Sequence, residues 1–363
     1  MGNQHKTIAS TIFYWYQLNK RELPWRENPT PYNVWISEIL LQQTQMSRGI
    51  DYYKRFIETF PNIYSLAESD EQTLLLLWQG LGYYSRARNM LIAAREIVEK
   101  FNGKFPDEYE DIIQLKGIGD YTASAILSIA FQQKYAVVDG NVLRIIARIF
   151  LIKEAVNETE TYKKIRDIVF NMMDNYLPSD FNQALMDFGA LVCKPKQPLC
   201  NLCLLSGICM ANMSGMSDVL PLKTNKIKRK QRYFNYIVII DASEKIVIKK
   251  RITNDIWKGM YEFPLIETDK PLTEKEIFEE LKENPLTKNL CVQTFQVFDS
   301  KVHKLTHQDI HATFIQIQCT ENIKGVADWI SIPLNEISSY PMHNLMRWFM
   351  KHNDYFSNNT LSQ

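Results

Sequence analysis

Apolar residues recur at helical spacing along the first two thirds of the chain and at alternating or continuous spacing along the last third, so the pattern itself changes near residue 230. An aromatic-rich amphipathic helix is predicted over residues 7–19, followed by a Leu23-Pro24-Trp25-Arg26 turn and the prolines at 29 and 31. A nearly all-apolar helix starts at Val34. Further helices are predicted over Ile50 to Thr59, Asp70 to Gln79, Ser85 to Phe101, Tyr109 to Leu115, Tyr121 to Phe131 and Val142 to Phe150, with two more between Thr161 and Leu191. No strand pattern precedes residue 230. Beyond it, Tyr236 to Ile240 and Lys245 to Lys249 read as strands around an Asp241 to Glu244 turn, and Val292 to Val297 and His311 to Gln318 as later strands. Thr273 to Glu276 is a capping box opening a helix. The fold class expected is therefore multi-domain: an all-α domain over residues 1–217, a linker over 218–232 and an α+β domain over 233–354.

Four places interrupt this regularity. In the Val34 helix six of the eight positions from 34 to 41 are apolar, and the neighbours of Glu38 one turn away are Val34, Trp35, Leu41 and Gln42. A carboxyl there is either a structural glutamate paired with an arginine or an acid whose pKa is raised by apolar surroundings. Leu115 to Phe131 reads as two helices joined by Gly117-Ile118-Gly119, with both glycines free to take positive φ and to expose the N–H groups of the following helix to a phosphate. An ordinary helix–helix turn is the plain alternative. Asp139-Gly140-Asn141 opens the next helix, where Asp139 is a natural N-cap, and Arg144 and Arg148 follow on that helix, close in sequence to the phosphate hook. Finally, Gly80-Leu81-Gly82-Tyr83-Tyr84-Ser85-Arg86 combines glycines, aromatic rings and arginine, either as a packed helix cap or as a loop that wedges a ring into a base stack and clamps phosphate.

Composition narrows the picture. At 363 residues and 45% hydrophobic the chain has material for two globular cores, and its formal charge of +1 says nothing about partners. Nothing near the N-terminus resembles a signal peptide and no apolar run approaches bilayer length, so an intracellular protein without a membrane partner is expected, in cytoplasm or nucleoid if bacterial. In that compartment, Cys193, Cys200, Cys203 and Cys209, spaced C-x6-C-x2-C-x5-C with Lys194 and Lys196 in the first loop, point to metal rather than disulfides. The chemistry leaves zinc and an iron–sulfur cluster both open. Only His5 precedes residue 230, which disfavours a histidine-dependent hydrolase there.

The glycine hairpin, the aspartate opening the next helix and the cysteine spacing together resemble the endonuclease III superfamily of helix-hairpin-helix DNA glycosylases. Within it, SEILLQQTQ, GLGYYSRARN, GIGDYTASAI and VVDGNVLRI resemble the MutY-type adenine DNA glycosylases over most of the chain. The resemblance implies one 4Fe-4S cluster on the four cysteines and, as substrate, double-stranded DNA with adenine opposite 8-oxoguanine or guanine. It makes Glu38 the general acid, Asp139 the carboxylate that stabilises the sugar cation, and Tyr121 and Asn141 their supports. Gln43 and Tyr83 become candidates for the wedge that flips the base, with Arg86, Gly117 and Gly119 on the DNA backbone. Bifunctional relatives carry a lysine immediately after the hairpin. Tyr121 stands in that place, and a phenol forms no Schiff base with an opened sugar, so a monofunctional enzyme is implied.

Pro221 to Arg232 holds six basic residues, Lys223, Lys226, Lys228, Arg229, Lys230 and Arg232, and no acidic one. A solvated tether is expected, which also offers a place for DNA or for repair or replication proteins on a monomeric enzyme. GMYEFP and the acidic helix with Glu276, Glu279 and Glu280 resemble a Nudix domain, but Lys275 stands where its arginine belongs and Lys282 where its glycine belongs. That departure argues against pyrophosphate hydrolysis and for reading the partner base, with Thr306 and His307 as the readers. The plain alternative for Thr306 and His307 is that they close a hairpin. Two rivals to the whole reading are a bifunctional lyase and a non-enzymatic iron–sulfur DNA-binding protein. A zinc base deaminase is excluded because no H-x-E accompanies P-C-x-x-C.

Overall fold

The computed structural model describes residues 2–224, 229–284, 287–288, 290–323 and 328–360. Two compact units account for them. One takes the residues up to Glu68 and those from Asn89 to Thr224; the other takes Ser69–Arg88 and everything from Arg229 onward.

The first unit is helical. Pro31–Leu41 begins with proline at its first position and Thr30 as N-cap, whose hydroxyl accepts from the Asn33 N–H at 3.2 Å. Its side chains from Val34 to Leu40 are all buried, Glu38 included. It packs against Asp120–Ala130, a helix buried from Thr122 to Ile129 whose Thr122, Ala123, Ser124 and Ala125 are small enough to let the two backbones approach. A second core joins Ile8 and Ile12 of Gly2–Asn19, Val142, Ile145 and Ile149 of Gly140–Ile149, and Phe181, Leu185 and Phe188 of Pro178–Leu191. The predicted helices are present with shifted ends. The first starts at Gly2 rather than residue 7, and the one expected over Tyr109 to Leu115 is the single turn Tyr109–Ile112, because the chain turns towards the hairpin at Gly117.

The second unit is a mixed sheet with helices on both faces. Its strands are β1 (Lys230–Ile240), β2 (Lys245–Lys250), β3 (Tyr261–Glu262), β4 (Leu265–Thr268), β5 (Val292–Lys304), β6 (Gln308–Cys319) and β7 (Trp329–Pro333). Their order is β3-β2-β1-β6-β5, with β4 paired to β1 and β7 to β2. β1 lies parallel to β6, and β5 and β6 form an antiparallel hairpin. Phe234, Tyr236 and Val238 of β1 face Phe314, Phe349 and Phe356, while Ile237 and Ile239 face Ile277 and Leu281 of the Glu274–Glu283 helix. Burial on both faces is why β1 reads as a continuous apolar run instead of an alternation.

Two expectations change here. β1 starts at Lys230, inside the stretch read as linker, and Arg232 is buried, its guanidinium joined to Glu267 at 2.7 Å and to Asp255 at 2.8 Å. Two carboxylates on neighbouring segments draw that end of the basic run into the sheet; Lys226 and Lys228 of the run lie outside the described residues. The short strands β3, β4 and β7 had no sequence signal, since two to five residues are too few for a period to show.

Candidate active site

A cavity of about 500 Å3 opens among Glu38, Gln43, Tyr121, Asp139, Asn141 and Arg21. The end of the Pro31–Leu41 helix, the start of the Asp120–Ala130 helix and the start of the Gly140–Ile149 helix converge on it.

Glu38 is 6% exposed, and its Oε2 accepts from the Tyr121 hydroxyl at 2.6 Å. Burial raises its pKa to about 7; the Tyr121 hydrogen bond and the charge of Arg26 oppose the rise, and Asp139 adds to it. Burial likewise pushes the Tyr121 phenol well above its ordinary value, so that it donates rather than ionises. Asp139 caps its helix. Its Oδ1 accepts from the N–H groups of Asn141 at 2.9 Å and Val142 at 2.8 Å, and its Oδ2 from the Asn141 amide at 2.6 Å. A helix N-terminus alone would favour the anion. In the fold, burial outweighs the three donors and Arg144, and the net shift is upward from 3.8.

The hairpin uses its glycines unequally. Gly117 takes φ +81°, and a Cβ there would lie 2.6 Å from Cβ of Asn89. Gly119 is extended at φ −103° with open space where a Cβ would go, so the positive φ expected of it is not taken. Arg144 and Arg148, which sequence proximity set beside the phosphate hook, turn inward instead. Arg144 donates to the carbonyls of Cys193 at 2.7 Å and Gly189 at 2.8 Å and to Asn141 Oδ1 at 2.8 Å. Arg148 donates to the carbonyls of Lys194 at 2.7 Å and Leu220 at 2.9 Å and reaches Cys193 Sγ at 3.3 Å. Both brace the cysteine loop, where otherwise unpaired carbonyls need donors.

Cys193, Cys200, Cys203 and Cys209 are all free, half-buried thiols lining one cavity of about 30 Å3. Among the described residues no group of three or more His, Cys, Asp or Glu side chains is set to hold a metal ion. Burial raises Cys203 to about 11 and Cys209 in the same direction, and thiols in such a place ionise only with a positive centre between them.

In the second unit Tyr83, Thr306 and His307 line a cavity of about 480 Å3. Thr306 and His307 do form the turn between β5 and β6, and in addition the Thr306 hydroxyl lies 2.5 Å from that of Tyr83, 223 residues earlier. Tyr83 is 45% exposed at φ +48°, and Gln43 in the first unit is at φ +56°. Non-glycine residues held in this region carry about 1–3 kcal/mol of strain and are common where a side chain must be presented. Arg86 stacks on Trp78 and Tyr83 and donates to the Gly82 carbonyl at 3.2 Å, bracing the loop. On the acidic helix Glu276 is consumed by its capping box with Thr273 and by Lys270 at 2.8 Å, and Glu279 pairs with Lys282.

Sequence reasoning missed Asp187. It is fully buried and accepts from Arg21 at 2.5 Å and Arg26 at 2.8 Å. The signal was there, a lone acid inside the apolar run ALMDFGAL, the same kind of signal that exposed Glu38.

Residues 36–169 match the HhH-GPD superfamily base excision DNA repair protein and residues 235–352 the NUDIX domain. The chain is 37% identical to the adenine DNA glycosylase of Buchnera aphidicola (subsp. Acyrthosiphon pisum) over 86% of either chain, and 40% identical to that of Homo sapiens over 56% of this chain and 39% of the human one. Its helical part superposes on a thermostable thymine-DNA glycosylase with TM-score 0.55 at 28% identity, covering 58% of this chain and 98% of the other. The chain belongs to the adenine DNA glycosylase family. No helix among the described residues is long and apolar enough to cross a membrane.

Proposed function

We propose that the chain excises adenine paired with 8-oxoguanine or guanine in duplex DNA, hydrolysing the N-glycosidic bond with no lyase step. The observation that carries this reading is a single cavity with a protonatable, buried Glu38 on one wall and the N-capping Asp139 on another.

Adenine leaves poorly as an anion. Glu38, held through Oε2 by Tyr121, keeps Oε1 for a proton near neutral pH and delivers it to N7 of the base. As the bond from C1′ to N9 breaks, positive charge grows on the sugar, and the Asp139 carboxylate, oriented by Asn141 and the helix start, stabilises it until water adds. Tyr121 offers no amine to trap the sugar, which supports monofunctional chemistry. The base must first leave the stack, and Gln43 and Tyr83, both held at positive φ, are suited to fill the gap. Gly117 and Gly119 present the hairpin to the phosphate backbone, and Arg86 holds the Tyr83 loop that meets the DNA.

The division of labour puts excision in the helical unit and base reading in the sheet unit, whose first strand starts at Lys230. Thr306 accepts from the N7–H that 8-oxoguanine has and guanine lacks, and His307 supports it. Cys193, Cys200, Cys203 and Cys209, which line one cavity, would hold a 4Fe-4S cluster. When bound, it would tie down the loop that carries Lys194 and Lys196, the two cations this loop offers to phosphate.

Adenine release from a duplex containing adenine opposite 8-oxoguanine tests the reading. Free adenine with an intact strand is expected, and borohydride should trap no protein–DNA adduct. A covalent adduct overturns the monofunctional assignment; the absence of any release overturns the enzyme.

A further inference from the structure

We infer that Asp187 is a positioning residue for excision: by holding the guanidinium groups of Arg21 and Arg26, it keeps their positive charge away from the Glu38 carboxyl. The inference rests on the reading of Glu38 as the acid. Asp187 sits on the Pro178–Leu191 helix with no exposure. Its Oδ1 accepts from Nε and Nη2 of Arg21 and from Nη2 of Arg26, and its Oδ2 from the Arg21 backbone N–H and from Nη1 of Arg26, at 2.5–3.1 Å. Both arginines border the space beside Glu38. Arg26 shares a small cavity with it, and Arg21 lines both that cavity and the larger one. A guanidinium in such a place has two carboxylates to choose between. One joined to Glu38 would fix Glu38 as an anion and leave nothing to protonate adenine.

The groups facing Glu38 are Tyr121 on the Asp120–Ala130 helix, Asp139 at the cap of the Gly140–Ile149 helix and Arg26 on the Pro24–Glu27 turn. Those facing Asp187 are Arg21, Arg26 and Tyr16 of the Gly2–Asn19 helix. Arg26 is common to both sets. It already lowers the Glu38 pKa from its position on Asp187, so releasing it should lower that value further.

Difference infrared titration of the Glu38 carboxyl in the full chain, with Glu38→Gln as reference, reads the effect directly. In Asp187→Asn the midpoint should fall by about one unit, and single-turnover excision should drop about fivefold at pH 7 but less than about twofold at pH 6. A merely structural defect would lower the rate equally at both. Adding Arg26→Gln to Asp187→Asn should return the midpoint towards that of the wild type. Because Asp187→Asn leaves two partly buried arginines without their carboxylate and risks misfolding, Arg26→Gln alone provides a second arm, with Asp187 still held by Arg21; there the Glu38 midpoint should rise. An unshifted midpoint in folded Asp187→Asn, or in Arg26→Gln, overturns the inference. The titration follows the proton on Glu38 whether or not that proton reaches adenine, whereas the activity of Glu38→Gln tests the acid role, so the two can fail separately.

Discussion

Glu38 in the helical unit and Glu262 in the sheet unit are each 6% exposed, and each accepts from a tyrosine hydroxyl, Tyr121 at 2.6 Å and Tyr236 at 3.2 Å. What separates them is arginine. Arg251 donates to both oxygens of Glu262 at 2.7 and 2.9 Å, whereas among the described residues no ion pair reaches Glu38, because Arg26, the guanidinium within electrostatic range, is bound to Asp187. Burial with a cation makes a brace, and burial without one makes an acid that holds its proton near neutral pH. The two glutamates teach that the same residue type at the same depth takes its role from where the nearest positive charge is tied.

The sharpest test of this contrast is Glu38→Gln. It should bind the mispaired duplex yet release adenine about a hundredfold to ten-thousandfold more slowly, because a general acid supplies roughly that factor; single-turnover kinetics read it. A rate within a few-fold of wild type would place Glu38 with Glu262 as a brace. Glu262→Gln should do the reverse, costing about 1.5–3 kcal/mol of stability through the charged hydrogen bonds that Nη1 of Arg251 loses, with Asp255 still holding Nη2, while excision by the folded fraction persists; denaturant unfolding measures the first and active-site-normalised rates the second. The next test is pH. The folded pKa of Glu38, about 7, is above its unfolded value of 4.5, so the native state binds the extra proton between those values. The stability due to the neutral group is fully present below pH 4.5 and is lost as pH rises to 7, a change of about 3 kcal/mol. Glu38→Gln should therefore be the more stable protein at pH 8 and lose that advantage towards pH 4.5, and wild-type excision should fall as pH rises through 7. Smaller still is Thr306→Ala. It should reduce the preference for 8-oxoguanine over guanine by about 1–3 kcal/mol of binding, with the chemical step on bound substrate kept. Unchanged affinity ratios for the two mispairs would move base reading away from this turn. Smallest is Glu276→Ala, which breaks a helix cap and should leave both excision and mispair ratio within about twofold. A large loss would return a catalytic role to the acidic helix.

Much of the first unit was legible because its signals are local. The apolar surroundings of Glu38 follow from the 3.6-residue repeat, the capping role of Asp139 from its place before a helix, and the positive φ of Gly117 from a turn too short for another residue. The second unit was less legible. Its core strand β1 announced itself by an apolar run, but β3, β4 and β7 did not, and the paired end of the basic stretch looked like a tether because Glu267 and Asp255 lie 35 and 23 residues beyond Arg232.

By itself, then, the sequence determined that Glu38 lies on a buried helix, that Asp139 opens the next one, and that four cysteines share one loop. Only the tertiary structure decided which charges meet. Tyr121 reaches Glu38 across 83 residues, Arg26 reaches Asp187 across 161, and Tyr83 reaches Thr306 across 223. Periodicity records which face of an element avoids water, a property each residue shares with neighbours three or four positions away. A guanidinium with two carboxylates in range is settled by packing between elements, and no local pattern encodes that choice.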